Sequence, residues 1–190
     1  MYFFLVSYPV LGAGLKYIDD AFDEKIFSKN LAIVLAPFLG ILWAYTMLID
    51  PFSATILLAI LLGVFLKGKI DNAAHFIGMA IIIGAIILVG INLLFLPLIF
   101  IAAAAFLDEV GNDIIDYNKG NIDENNFLHK LLVYFFDQRW FTKIAVLYVV
   151  LLGLFPLYFF LAILLFDGAY LTVRLYSKSR QGIQKAVVCT

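Results

Sequence analysis

Apolar runs of helical length, interrupted by short polar stretches, set the pattern of this chain. Hydrophobic positions fill whole segments rather than alternating with polar ones, so the segments read as buried or lipid-facing helices and a lipid-embedded β-barrel is excluded. Seven such helices are predicted, at about 1–18, 29–49, 52–67, 73–90, 92–109, 140–155 and 157–175. The stretch from Ala74 to Leu107 is too long for one crossing of about 20 residues, and Gly90-Ile91-Asn92 supplies the break. Asp50-Pro51 and Phe155-Pro156 mark two further reversals, because proline lacks an N–H and its ring clashes with a continuing helix. Several segments are nearer about 16 residues, which at about 1.5 Å per residue implies local membrane thinning or helices extended beyond the apolar layer. The first segment has no basic leader and runs directly into Asp19 and Asp20, so it reads as a span rather than a signal peptide.

Composition agrees with this class: 64% of the residues are hydrophobic, 14% are charged and the mean hydropathy is +1.02. Soluble domains carry about 25% charged residues. The expected fold is therefore all-α, a polytopic helical membrane protein of about seven transmembrane helices in a single integral domain covering 1–190. Counting reversals sends the loop at 19–28, the Lys67-Gly-Lys69-Ile-Asp71 loop, the segment at 110–139 and the C-terminal tail to one face, with all 13 Lys and Arg residues in loops there. Positive loops are retained inside, so this face is expected to be cytoplasmic, with the N-terminus outside, in the plasma membrane of a prokaryote. The formal net charge of -1 averages two unlike faces and gives no reason to invoke nucleic acid. Arg174, Lys178, Arg180 and Lys185 suit anionic lipid headgroups. The single cysteine, Cys189, excludes an internal disulfide and misses the prenylation spacing.

Candidate chemistry gathers on the charged face in two acidic clusters, each following an apolar helix. In the first, Asp19 and Asp23, and likewise Asp20 and Glu24, are i,i+4 neighbours on a helix; in the second, Glu109, Asp113 and Asp116 form a stripe beside Asp108 and Asn112. Concentrated negative charge calls for a cation, and hard divalent ions take oxygen ligands. Magnesium is usually held by one or two carboxylates together with phosphate oxygens, so Asp19, Asp20, Asp23, Asp108, Glu109, Asp113 and Asp116 are candidate ligands for a magnesium diphosphate. Lys67 and Lys69 are the candidates for neutralising a departing phosphate, and Lys16, Asn112, Lys143 and Asp167 for binding substrate. Asp167 stands inside the last span, where an ionisable group is unfavourable unless it faces the bundle or water. His75 and His129 lack partners at metal-ligand spacing, which argues against zinc. Residues 126–141 form an amphipathic stretch suited to the headgroup layer, to a lid, or to the start of the next span.

A parallel internal repeat, over 1–72 and 92–178, relates the two halves. Each has an acidic cluster followed by Phe27-Ser-Lys29 or Phe141-Thr-Lys143 and then by two spans, and four intervening spans would bring both clusters to one cavity on one face. Asn112-Asp113-x-x-Asp116 resembles the first aspartate-rich motif of the UbiA superfamily of intramembrane prenyltransferases, and Asp19-x-x-x-Asp23 is similar to its shorter motif. The motif order is reversed here, and Gly120 stands where a further aspartate would fall. That resemblance implies a prenyl diphosphate bound through magnesium. Tyr17-Ile-Asp-Asp20 also looks like the signature of polyprenyl-phosphate sugar-phosphate transferases. The leading expectation is a magnesium-dependent transferase acting on an isoprenoid diphosphate at the cytoplasmic face. The alternatives are a phosphoglycosyl-type transferase using a polyprenyl phosphate and a cation transporter or channel with acidic mouths.

Overall fold

A computed structural model describes residues 1–68, 72–118 and 126–188, with all their side chains except those of Asp116 and of 182–188. The described residues form eight α-helices and no strand: α1 (Tyr2–Phe22), α2 (Lys29–Leu48), α3 (Pro51–Leu66), α4 (Ala73–Val89), α5 (Phe95–Tyr117), α6 (Phe127–Asp137), α7 (Trp140–Leu151) and α8 (Leu157–Val188). Among the described residues, two segments are long and apolar enough to cross a membrane: α2 and the Leu157–Gln181 part of α8. The apolar helices α3, α4 and α7 are shorter.

Local chemistry sets the helix starts. The Ser28 hydroxyl accepts from Leu31 N, Asn72 Oδ1 from His75 N, and Asn126 Oδ1 from Leu128 N, each relieving a backbone donor that the first turn leaves unsatisfied. Asp50 accepts from both Phe52 N and Ser53 N, and Pro51 takes the first helical position, where its missing N–H is no loss. The Asp50-Pro51 turn is thus a helix cap. Gly90, at φ +78, ends α4 in a conformation that side chains disfavour.

The chain divides into two compact units that interleave along the sequence. The first comprises Met1–Ile49, Asp71–Gly90 and Leu161–Thr190; the second comprises Asp50–Ile70 and Ile91–Phe160.

In the first unit α1 and α2 run antiparallel. Phe3 meets Tyr45 edge to face, the Gly14 position abuts Leu39, and Ile18 and Ala21 pack with Ala32 and Ala36. Helix α4 lies parallel to α2, with Ala74 in that same cluster and Gly78 and Ile81 against the Gly40 position. Helix α8 runs parallel to α1: Tyr8 packs on Phe166, Lys16 lies 5.3 Å from the Tyr170 ring centroid, and Phe27 stacks on Tyr176. Only glycine permits the closest approach, because a Cβ on Gly12 would stand 2.1 Å from the Phe166 carbonyl oxygen.

In the second unit α3 and α5 are parallel. Leu94 N donates to Thr55 Oγ1 at one level, and the Gly63 position meets Ala105 further along. Helix α7 is antiparallel to α5, with Tyr148 against Phe100 and Thr142 against Asp108. Short α6 inserts the Phe136 ring at Gly111, while Phe127, Leu128, Leu131 and Leu132 remain exposed.

Candidate polar sites at the helix ends

Asp19 and Asp20 of the first cluster, and Asp108, Glu109 and Asp113 of the second, lie inside helices rather than after them, while Asp23 and Glu24 follow α1. α1 continues through Asp19 and Asp20 to Phe22, and α5 continues through Asp108, Glu109 and Asp113 to Tyr117. Of the basic residues assigned to loops, Lys16, Lys143, Arg174, Lys178 and Arg180 also stand within helices. Helical geometry persists because a charged last turn keeps its backbone hydrogen bonds while the side chains find partners on neighbouring helices.

In the first unit, groups from α1, α4 and α8 converge. Lys16 Nζ lies 2.8 Å from Asp20 Oδ1, one turn apart on α1. Asp20 is 2% exposed, and its Oδ2 has no hydrogen-bond partner among the described residues. The neighbouring Asp19 takes the Tyr170 hydroxyl on Oδ2 at 3.1 Å and faces His75 Nε2 across 3.2 Å on Oδ1. His75 Nδ1 is 2.8 Å from Asn72 Nδ2, so the residue that caps α4 also grips the imidazole. Asp23 is the exposed C-cap residue of α1, and Glu24 accepts from Gln181 of α8. Asp167, on α8, is buried at 6% exposure.

In the second unit, three carboxylates of α5 have distinct surroundings. Asp108 Oδ1 accepts from Phe141 N, and Oδ2 accepts from both the amide and the hydroxyl of Thr142. This carboxylate therefore caps the first turn of α7, a role that satisfies both its oxygens. Glu109 Oε1 lies 3.0 Å from Arg139 Nη2, and Arg139 holds a left-handed φ of 49° at the α7 N-cap. Asp113 Oδ2 lies 2.9 Å from Lys67 Nζ at the end of α3. Lys143 is buried, donates to the Gln138 carbonyl at the end of α6 and lies 5.2 Å from the Trp140 ring centroid. Asn112 sits half-buried on α5. Lys69 and the Asp116 side chain lie outside the described residues.

The donor set suits a hard cation in one form only. Among the described residues no three acidic or histidine side chains draw together as a metal group. One or two carboxylates are nevertheless enough for magnesium when phosphate oxygens and water complete the shell. Asp20, with a buried oxygen left over, meets that requirement in the first unit; Asp113, half-exposed beside a lysine, meets it in the second.

Two residues of this arrangement escape a reading of the sequence. His75 has no motif around it, and Tyr170 is one of 10 tyrosines. The available clue is Asn72, a strong N-cap residue three positions before His75, which orients whatever stands there. Comparison with family models, curated proteins and solved structures finds no match to this chain.

Proposed function

We propose that the chain is an integral membrane protein of seven crossings with its charged helix ends on the cytoplasmic side, and that it acts there as a magnesium-dependent transferase on an isoprenoid diphosphate. The packing directions support the crossings. In strict alternation the first and last spans run the same way, as do α2 and α4, and α3 and α5, while α1 opposes α2 and α5 opposes α7. Each of these relations holds inside its own unit. The apolar exterior supports a lipid surround: Ile87, Leu88, Val89, Phe95 and Leu96 are each at least 70% exposed, a pattern unfavourable in water.

The observation that carries the activity is the contact of a carboxylate with a lysine in each unit, Lys16 with Asp20 and Lys67 with Asp113. A metal diphosphate needs both partners, an oxygen ligand for the cation and an ammonium for the phosphate. Asp20 in the first unit, or Asp113 in the second, would hold magnesium, which would supply positive charge to the diphosphate oxygens. Lys16 in the first unit, or Lys67 in the second, exchanges its carboxylate for a phosphate oxygen and holds the leaving group. The carbon–oxygen bond breaks with its electron pair on the diphosphate, and the acceptor attacks the allylic carbon and releases a proton. The apolar surround accommodates the isoprenoid chain, and the basic part of α8 meets anionic headgroups.

A second reading, cation transport, draws on the buried carboxylates Asp20 and Asp167 within the first unit. Thermal unfolding of the detergent-solubilised protein with farnesyl diphosphate, with and without magnesium, separates the two. A stabilisation that requires both ligands is the expected result. Stabilisation by the cation alone favours transport, and no response to either sinks the transferase reading.

A further inference from the structure

Helix α6 is separate from the span that follows it, because it ends at Asp137 and Arg139 turns left-handed before α7 starts at Trp140. Its 11 residues reach about 16 Å, half the roughly 30 Å of a bilayer core, so it cannot cross. The Phe136 ring enters the space at Gly111 of α5 and meets Phe141 at the start of α7, which fixes the side that α6 turns toward its unit. At about 3.6 residues per turn, Leu128 and Phe135 fall about a quarter turn to one side of Phe136, with Leu131 and Leu132 around them. Lys130 and Asp137 fall about a quarter turn to the other side. The apolar flank is left open: Leu128, Leu131 and Leu132 are 62%, 48% and 49% exposed, and none of the α6 residues is buried.

The contacts of α6 set its level in the unit. Besides Phe136 at Gly111, Lys143 of α7 donates to the Gln138 carbonyl, and Arg139 lies 3.0 Å from Glu109 of α5. Glu109 and Gly111 stand just past Leu107, where the apolar run of α5 gives way to charge, and in a crossing helix that change marks the headgroup layer. Tyr134, half-exposed on α6, and Trp140 after it are the side chains that favour this layer. A helix lying flat there beside α5 has acyl chains on one flank and water on the other, which matches the division between Leu128 and Asp137. The neighbouring helices continue the apolar surface outward, with Leu107 of α5 and Ile144 of α7 about half-exposed. One flank of a helix about 16 Å long and 10 Å across is far smaller than the roughly 800 Å² that each partner covers in a stable protein pair, so lipid suits it better than a second copy.

We propose that α6 is an in-plane lipid-binding helix, whose Leu128, Leu131 and Leu132 flank enters the boundary between headgroups and acyl chains while Lys130 and Asp137 stay at the aqueous surface. This rests on the membrane-crossing part of the reading above and is independent of the transferase activity. It assigns α6 a partner, the lipid monolayer at the charged helix ends.

Spin labels on the full chain in phosphatidylcholine vesicles test it. In a Cys189→Ser background, single labels are placed at Leu128→Cys, Leu131→Cys and Lys130→Cys, and at Ile41→Cys, an exposed position within the span candidate α2. Collision with oxygen, which concentrates in lipid, is compared with collision with a water-soluble nickel chelate. The labels at 128 and 131 are expected to favour oxygen at a depth of roughly 5–10 Å, and the label at 130 to favour the chelate. All four variants alter exposed side chains, so each is expected to fold. Preference for the chelate at 128 and 131, with oxygen preferred at 41, overturns the proposal and leaves the crossings standing. Shielding of 128 and 131 from both reagents also overturns it, because a protein surface then covers the flank. Oxygen preference at 130 equal to that at 131 overturns it as well, since the helix is then immersed rather than lying in the boundary. Preference for the chelate at 41 removes the membrane-crossing reading, and this proposal falls with it.

Discussion

Thr142 donates twice to one oxygen of Asp108, through its amide and through its hydroxyl, each at 2.7 Å. With Phe141 N on the other oxygen, the carboxylate of α5 closes the start of α7. Asp108→Ala leaves these buried donors unsatisfied and is expected to lower stability by about 2 kcal/mol, the scale of a lost cap or an orphaned buried donor. Asp108→Asn, which keeps an acceptor, costs less. Neither change should remove a magnesium-dependent response, and chemical unfolding alongside ligand titration checks both statements. A stable Asp108→Ala protein that no longer responds to magnesium would make Asp108 a ligand instead.

The Lys67 and Asp113 pair predicts the opposite separation. Both side chains are partly open to solvent, so the pair contributes no more than about 1 kcal/mol to stability. Lys67→Ala and Asp113→Asn should therefore melt close to wild type. Both should lose the stabilisation that farnesyl diphosphate and magnesium give together. Retention of that stabilisation in both variants would remove this pair from the site.

Lys16 and Asp20 form a more deeply buried pair, at 14% and 3% side-chain exposure. Removing one partner strands the other charge, a loss of roughly 3–5 kcal/mol where burial is complete and somewhat less here. Lys16→Met is expected to destabilise strongly, and the double variant Lys16→Met/Asp20→Leu to recover most of that loss. A double-mutant cycle with no coupling between the two positions would contradict this.

At the crossing of α1 and α8, Gly12→Ala places a methyl group 2.1 Å from the Phe166 carbonyl oxygen, and backbone cannot yield as a flexible side chain can. The expected loss is about 1–3 kcal/mol, as for other overpacked sites. Gly84→Ala, on α4 with nothing within 4 Å of the added Cβ, serves as the comparison and should leave the melting temperature unchanged or raise it. Equal melting of the two variants would refute the close approach.

Sidedness is open to direct labelling. In a Cys189→Ser background, a cysteine at Asn30 should resist a membrane-impermeant maleimide applied to intact cells, whereas one at Ile49, at the other end of α2, should react. The reverse pattern would invert the orientation, and reaction at both positions would exclude a crossing by α2.

The helices were legible because apolar runs bounded by Asp50-Pro51, Gly90 and Pro156 leave few other readings, and the helix starts fall close to the hydropathy limits, whereas α5 and α8 run on past 109 and 175 to Tyr117 and Val188. The polar ends were less so. Hydropathy stops α1 near residue 18, yet the helix runs to Phe22, since Lys16 one turn back and Tyr170 across the bundle supply partners that a local reading cannot see. The amphipathic stretch at 126–141 is likewise a helix of its own, capped by Asn126 and ended before Arg139 adopts its left-handed turn. Phe27-Ser-Lys29 and Phe141-Thr-Lys143 both stand at helix starts, but by different chemistry: Ser28 is itself a cap, whereas Thr142 is served by a cap from α5. His75 was invisible as a partner of Asp19 because their contact depends on how α4 and α1 are brought together, which no spacing within either helix encodes. The grouping of α1, α2, α4 and the later part of α8 into one unit is likewise a property of packing between segments far apart in the chain.

That interleaving imposes an order on biogenesis. The first unit contains both α1 and the later part of α8, and the phenol that holds Asp19 is made 151 residues after it. Until α8 is made, Asp19 lacks the Tyr170 hydroxyl on its Oδ2. A nascent chain halted before Tyr170 lacks that contact, a mark of an unfinished molecule that chaperones and proteases can read.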